Sequence, residues 1–383
     1  MSAGDVEVQL MAADEAYRNY DYETALNHYK SALDVATGQS SSHRTEKLRN
    51  EILLKIVDVL DSSGNWVDAL MYIDTITKTA RKHMNRRLEM EANLRAAKIL
   101  TNRSVWKEAG KRYLDTLELG KKHGVNTIIA KCHYGLAYVA WRLGDMDAAR
   151  VGTEKSLKMT EDCNGGNLRG QALNLLATIA DNVGDTDIAI KRFGEAIVVC
   201  EAAGDFKEMA RSFNNLGEVY KGTGDYLKAS EQYKKCVDAS KRSNDRHTEA
   251  YGLTNAAECL TRLGNIGEAE ERVKQAEEIL ATMDDKYAIA YTHYVRALIL
   301  HKTNNQNGAR QEFETALNIL KELNAPYDIS IVSLDYGRAL KDFGQKDEAK
   351  KVYMKALEGF RKLNATGYLK KTAEAMRELD ADM

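Results

Sequence analysis

An alanine recurs every forty residues through most of this chain, and no other feature restricts the fold as strongly. Ala69, Ala109, Ala149, Ala189, Ala229, Ala269, Ala309 and Ala349 stand forty residues apart, and Ala25 lies 44 before Ala69. Five positions ahead of these alanines runs a turn signature: Tyr20-Asp21, Gly64-Asn65, Ser104-Val105, Gly144-Asp145, Gly184-Asp185, Gly224-Asp225, Gly264-Asn265, Asn304-Asn305 and Gly344-Gln345. The four extra residues of the first interval fit in the polar stretch from Thr37 to Thr45. A fixed period of this length marks a repeat array, in which each unit is one supersecondary element that buries its apolar face only by stacking on its neighbours.

Within a unit the spacing is helical. Four residues after the alanine comes a large side chain, as at Tyr29, Ile73, Tyr113, Phe193, Tyr233, Val273, Phe313 and Tyr353, with Thr153 departing. Three further on a small one is usual, as at Ala32, Ser156, Ala196, Cys236, Ala276, Ala316 and Ala356. Steps of four and three place these on one stripe. Twelve residues before the alanine stand Ala13, Val57, Ala97, Ala137, Ala177, Gly217, Ala257, Ala297 and Gly337, which predict a closely packed first helix. Each unit therefore reads as helix A, a tight turn and helix B. Glycine ends helix A in a left-handed conformation at no steric cost, and the next Asp or Asn caps helix B. Asn265 with Glu268 has capping-box spacing, and Asp205, Asp245 and Asp285 are placed to cap helix A. A single proline, Pro326, suits a first helical turn and leaves the rest free for long helices.

The remaining composition excludes several classes. With 44% apolar and 29% charged residues the chain fills a core. Lys plus Arg number 55 against 57 Asp plus Glu, so there is no electrostatic case for nucleic acid or a membrane surface. No run of 18 apolar residues is present, and Met1 to Leu10 does not read as a secretory signal. Cys132, Cys163, Cys200, Cys236 and Cys259 read as reduced core residues, and a cytoplasmic location is expected. Motifs for chemistry are missing. Gly165-Gly166 follows no strand, His293 and His301 lie about 12 Å apart along a helix, and the pairs Asp284-Asp285 and Glu277-Glu278 belong to solvated helix ends or faces. Neither a metal, a cofactor nor an enzymatic activity is expected.

The unit Asn214-Asn215-Leu216-Gly217-Glu218-Val219-Tyr220, Gly224-Asp225-Tyr226, Ala229, Tyr233 resembles a tetratricopeptide repeat. It is similar to the forty-residue variety found in kinesin light chain and Leu-Gly-Asn repeat adaptors. The resemblance implies an all-α, right-handed superhelical solenoid of about nine helix-turn-helix repeats. These span 5–37, 46–81, 86–122, 126–162, 166–202, 206–242, 246–282, 286–322 and 326–362, with a capping helix at 366–380. It also implies a concave face lined by helix A, at positions 18, 15, 14, 11, 8 and 7 before the alanine.

Those columns nominate a peptide-binding groove centred on repeats four to seven. Asn174 and Asn214 share one column, Asn215 and Asn255 the next. Asparagine costs helix propensity, and its amide can pair with a peptide N–H and C=O together. In the resembled families helix A asparagines have that role; an inter-helix hydrogen bond that sets the stacking is the other reading. Tyr134, Tyr251, Tyr291 and Tyr294 offer interface area beside them, and Arg142, Arg211, Lys221 and Arg262 offer charge for acidic partner segments. Charge in four of the columns is mainly acidic in repeats one to three and basic thereafter. The expected function is an adaptor or scaffold that holds a partner peptide or helix. The alternatives are a structural subunit packing through its convex face or ends, and a peptide or small-ligand sensor acting in trans.

Overall fold

A computed structural model of the protein describes residues 3–381 except 20, 41, 162–165 and 284. Tyr20, Cys163, Gly165 and Asp284 therefore lie outside the described residues. Nineteen helices and no strands are found among those described. The helices in the A position are α1 (Ala3–Arg18), α3 (His43–Ser62), α5 (Arg86–Asn102), α7 (Asn126–Arg142), α9 (Gly166–Val183), α11 (Phe206–Gly222), α13 (Arg246–Leu263), α15 (Lys286–Lys302) and α17 (Pro326–Asp342). Their B partners are α2 (Tyr22–Thr37), α4 (Trp66–Lys82), α6 (Trp106–His123), α8 (Met146–Glu161), α10 (Thr186–Ala203), α12 (Tyr226–Arg242), α14 (Ile266–Leu280), α16 (Gln306–Glu322) and α18 (Lys346–Lys362), and α19 (Thr366–Ala381) follows. Two compact units are distinguished, Met1–Ser212 and Phe213–Met383, called units 1 and 2 below.

The periodic alanines are the anchors of the A–B contacts. All nine, from Ala25 to Ala349, have 0% exposure, so a larger side chain there has no room. Tyr233, Phe313 and Tyr353 four residues on are likewise fully buried, each removing about 2–3 kcal/mol worth of apolar surface from water. Where the B helix carries such a ring the A helix yields. A Cβ on Gly217 would stand 2.6 Å from the Tyr233 ring, and one on Gly337 would stand 2.5 Å from that of Tyr353.

The turns repeat at half the sequence period. Left-handed residues occur at 64, 84, 104, 124, 144, 184, 204, 224, 244, 264, 304, 324, 344 and 364, at multiples of twenty residues. Glycine holds eight of these places and asparagine four, the residue types that reach φ > 0 at least cost. Asp225, Asp205, Asp245 and Asp285 accept from backbone N–H groups three residues on, as expected of caps. Asn265 does not: no side-chain bond caps α14, and Glu268 pairs with Arg272 at 3.2 Å instead. Pro326 opens α17. The capping box that does form joins Ser42 to Thr45, and it starts α3 at His43, a turn before the expected residue 46. Part of the four-residue insertion is thus absorbed as helix.

In unit 2 the apolar core runs from Ala257 to Leu379. α19 closes it with Ala375 and Leu379, and Tyr368 stacks on Phe360 at a centroid distance of 5.0 Å.

Candidate functional site

The A-helix columns hold polar groups that first bind one A helix to the next. In unit 1, Asp14 of α1 meets Lys55 of α3 at 2.5 Å, Asp58 takes a two-pronged bond from Arg95 of α5 at 2.8 and 2.9 Å, and Asp61 meets Lys98 at 3.0 Å. The partners are 41 or 37 residues apart in the chain. The two separations differ by four, one helical turn, so each residue faces the next repeat one position ahead or one turn behind. Asp14, Asp58 and Asp61 are thereby each neutralised by a cation of the following A helix. Burial opposes ionisation of Asp14, but the bonds from Lys55 and Tyr29 hold its pKa below the ordinary 3.8.

Further along unit 1 the face becomes aromatic. Tyr134, Tyr138 and Trp141 succeed one another on α7, with ring centroids 6.5 and 5.3 Å apart. The Trp141 indole donates to Asn182 of α9 at 2.8 Å, and exposed Arg142 lies over the rings of Trp106 and Trp141 at 5.0 and 5.6 Å. Asn174, only 6% exposed, donates to Glu208 at 2.5 Å, and Arg211 meets the other oxygen of that carboxylate at 3.3 Å.

Unit 2 carries one connected network across four A helices. Tyr233 of α12 donates to Glu218 at 2.6 Å. Lys221 reaches Glu218 at 3.0 Å, Glu258 at 3.3 Å and the Tyr291 hydroxyl at 3.2 Å, while Tyr291 donates to Glu258. Arg262 bonds to Glu258 at 3.2 Å, to the Tyr294 hydroxyl at 3.1 Å and to Asp335 at 2.7 Å; Tyr294 and Arg338 complete the shell of Asp335 at 2.7 and 2.8 Å. Three carboxylates thus face three cations. Burial works against ionisation of Asp335 and Glu258, yet Arg262 with Arg338 in the first case, and Lys221 with Arg262 in the second, keep both pKa values below their ordinary 3.8 and 4.5. Lys221 is raised well above 10.5 in spite of its burial, because Glu258 stands beside it.

This arrangement changes the reading of several nominated residues. Lys221 and Arg262 are engaged by the protein's own carboxylates and are not loose charges awaiting an acidic partner. Tyr294 is 2% exposed and belongs to the core, its ring 6.4 Å from Phe313. Tyr291 is half-buried, and Tyr251 donates to Asp285 at 3.4 Å while its ring lies 4.8 Å from His247. Glu277 is not a solvated helix residue; it is half-buried against Arg296. His293 and His301 meet Glu312 at 2.5 Å and Asp342 at 2.8 Å, each separately. Among the described residues no group of three metal-ligating side chains occurs, and no helix is long and apolar enough to cross a membrane. Cys132, Cys200, Cys236 and Cys259 are buried, and burial pushes each thiol up to about 12.

The asparagines divide between the two roles. Asn255, 5% exposed, donates its amide N–H to the Asn214 carbonyl at 3.1 Å, which is the stacking bond between α11 and α13. That bond uses one donor of Asn255 and the acceptor of Asn214. The Asn214 amide N–H₂ and the Asn255 carbonyl make no further bond among the described residues. Asn214 is half-buried, as is its neighbour Asn215. One rung therefore keeps a spare donor on one helix and a spare acceptor on the next, with Tyr251 a turn before Asn255 and Glu258 a turn after.

Family models described as tetratricopeptide repeat match residues 130–151, 208–282 and 333–358. The chain is a tetratricopeptide-type helical repeat protein. A search of curated proteins found no sequence match. Among solved structures, this tetratricopeptide protein is similar to the apo form of RapI, with a TM-score of 0.65 and 14% identity over 94% of this chain and 98% of that one. It is also similar to the apo quorum sensor NprR from B. thuringiensis, with a TM-score of 0.55 and 16% identity over 99% and 98%. A third is the Rap conjugation gene regulator of plasmid pLS20 in complex with the Phr* peptide, with a TM-score of 0.55 and 14% identity over 98% and 96%. At such identities the likeness is one of fold.

Proposed function

We propose that the protein is a protein-interaction module that holds an extended peptide segment of a partner against the A-helix face of unit 2. The half-used amide rung of Asn214 and Asn255 carries this reading. An extended backbone offers an N–H and a C=O, and the rung has an acceptor and a donor left for them. Lys221, Tyr251 and Tyr291 border it and supply contact area. Since the neighbouring charges are already matched, the rung recognises backbone, and acidic residues in the partner are not required. The fold-level likeness to a regulator solved with the Phr* peptide agrees with a peptide ligand. The likeness to a quorum sensor favours, as a narrower version, a peptide sensor that acts on an effector in trans.

A display library of random ten-residue peptides, selected on the purified full chain, tests this. Selected peptides should lose about tenfold in affinity on Asn214→Ala, the loss of roughly one buried hydrogen bond. The fold should persist, because alanine is the better helix former. Peptides that bind Asn214→Ala and Asn255→Ala as tightly as the wild type would place binding elsewhere.

A further inference from the structure

Within unit 2, a cavity of about 360 Å³ lies among α13, α15, α17, α18 and α19. Its size falls in the range of small-molecule sites and gives room for roughly a dozen water-sized groups. Tyr353 lines it with five cations, among them Arg262, Lys302, Arg338 and Lys371, and with four carboxylates, Asp335, Asp342, Glu374 and Glu378. Two buried donors there lack any partner among the described residues: the hydroxyl of Tyr353, a residue with 0% exposure, and the Nε–H of Arg262. Burial pushes the Tyr353 phenol up to about 12, so it keeps its proton at neutral pH.

Two other repeats show what Tyr353 is missing. In the first, Tyr29 donates to Asp14, fifteen residues before it. In the sixth, Tyr233 donates to Glu218, again fifteen residues before, at 2.6 Å. In the ninth repeat that position is Arg338. The carboxylate that should accept the hydroxyl is replaced by a cation, which turns away to Asp335 at 2.8 Å. Lys302 and Lys371 have no carboxylate partner among the described residues; Lys371 lies over the Tyr368 ring at 5.2 Å. A buried donor left without an acceptor is costly, and among the groups that line its cavity Lys302 and Lys371 are the cations without a carboxylate partner among the described residues.

We infer that this cavity binds a small organic anion whose carboxylate or phosphate group occupies the place that Asp14 and Glu218 fill in their own repeats. The oxyanion accepts from Tyr353 and from Arg262 Nε, and Lys302 and Lys371 balance its charge. The site is independent of the Asn214–Asn255 rung, so either can fail without the other.

The test uses the purified full chain at pH 7 with inorganic phosphate and with citrate as separate probes, each matched in ionic strength by chloride. Isothermal titration should show saturable one-to-one binding of at least one probe, and which one binds distinguishes a phosphate from a carboxylate ligand. Tyr353→Phe keeps the volume and removes the orphaned hydroxyl. It should melt no lower than the wild type and bind the anion about tenfold more weakly. Arg338→Gln, which puts an acceptor back fifteen residues before the tyrosine, should abolish the binding; it also removes one of the two cations beside buried Asp335, so its melting temperature should fall, and the titration is run well below it. No saturable binding of either probe below 10 mM, on the order of the weakest specific sites, would show that the cavity holds water only and overturn the inference. Binding unchanged in Tyr353→Phe would overturn the assigned geometry.

Discussion

Replacing Arg262 by leucine should destabilise the protein far more than an exposed arginine would. Its guanidinium joins Glu258 and Asp335, whose side chains are only 9% and 7% exposed. Breaking a buried ion pair from one side typically costs about 3–5 kcal/mol, because the abandoned charge stays out of water. Here each carboxylate keeps another cation and a tyrosine hydroxyl: Lys221 and Tyr291 for Glu258, Arg338 and Tyr294 for Asp335. The lower end, about 3 kcal/mol, is therefore expected. With a slope of about 2–3 kcal/mol per molar urea, the midpoint should fall by roughly 1–1.5 M. The companion is Arg262→Leu with Asp335→Asn, in which the surplus negative charge is gone and the amide still serves Tyr294 and Arg338. The double variant should be no less stable than the single. Far-UV circular dichroism in urea at pH 7 measures both. A single variant within 0.5 kcal/mol of wild type, the usual range of a surface substitution, or strictly additive losses, would refute a coupled buried network.

Two further outcomes follow from the same packing. Gly217→Ala gains about 1 kcal/mol of helix propensity but drives a methyl into the fully buried Tyr233 ring, so a net loss of about 1–2 kcal/mol is expected in urea unfolding; a stabilised variant would mean that the ring has room. Acid should also weaken the network. Asp335 and Glu258 have folded pKa values below their ordinary 3.8 and 4.5, so the stability they contribute is complete above pH 4.5 and is lost as the pH falls through and below these values. Asp335→Asn should flatten the fall of stability between pH 5 and 3, and an unchanged slope would remove Asp335 from the account.

The repeat was legible because its marks are local. An anchor alanine, a ring four residues later and a left-handed turn residue five residues earlier all follow from one helix pair meeting itself. The polar ladder was harder to see. Asp58 and Arg95 are 37 residues apart, and Tyr294 and Asp335 are 41, so the partners stand in different columns of a forty-residue alignment. Columns read singly made Lys221 and Arg262 look like free cations and Glu258 and Asp335 like separate acids. Opposite charges at 37 would have joined Lys221 to Glu258, as separations of 37 and 41 also join Lys98 to Asp61 and His301 to Asp342, whereas Arg262 and Asp335 stand 73 apart and give no such signal. The burial of Tyr294 had no such signal, since its column also holds half-buried residues. The asparagines were singled out for their amides, but one amide cannot reveal which of its groups a neighbouring helix will use. At Asn265 the spacing of a cap was present, and the competing pair of Glu268 with Arg272 removed its second half.

The most direct measurement replaces single backbone amides by esters along a library-selected peptide and titrates each against the wild type and Asn255→Ala. An ester removes one N–H donor and weakens one carbonyl without altering a side chain. If the Asn214–Asn255 rung grips backbone, one ester position should lose about five- to tenfold in affinity on the wild type and nothing further on Asn255→Ala, which lacks the carbonyl that accepts the peptide N–H. Peptides indifferent to every ester, or equally sensitive on both proteins, would contradict backbone recognition by this face.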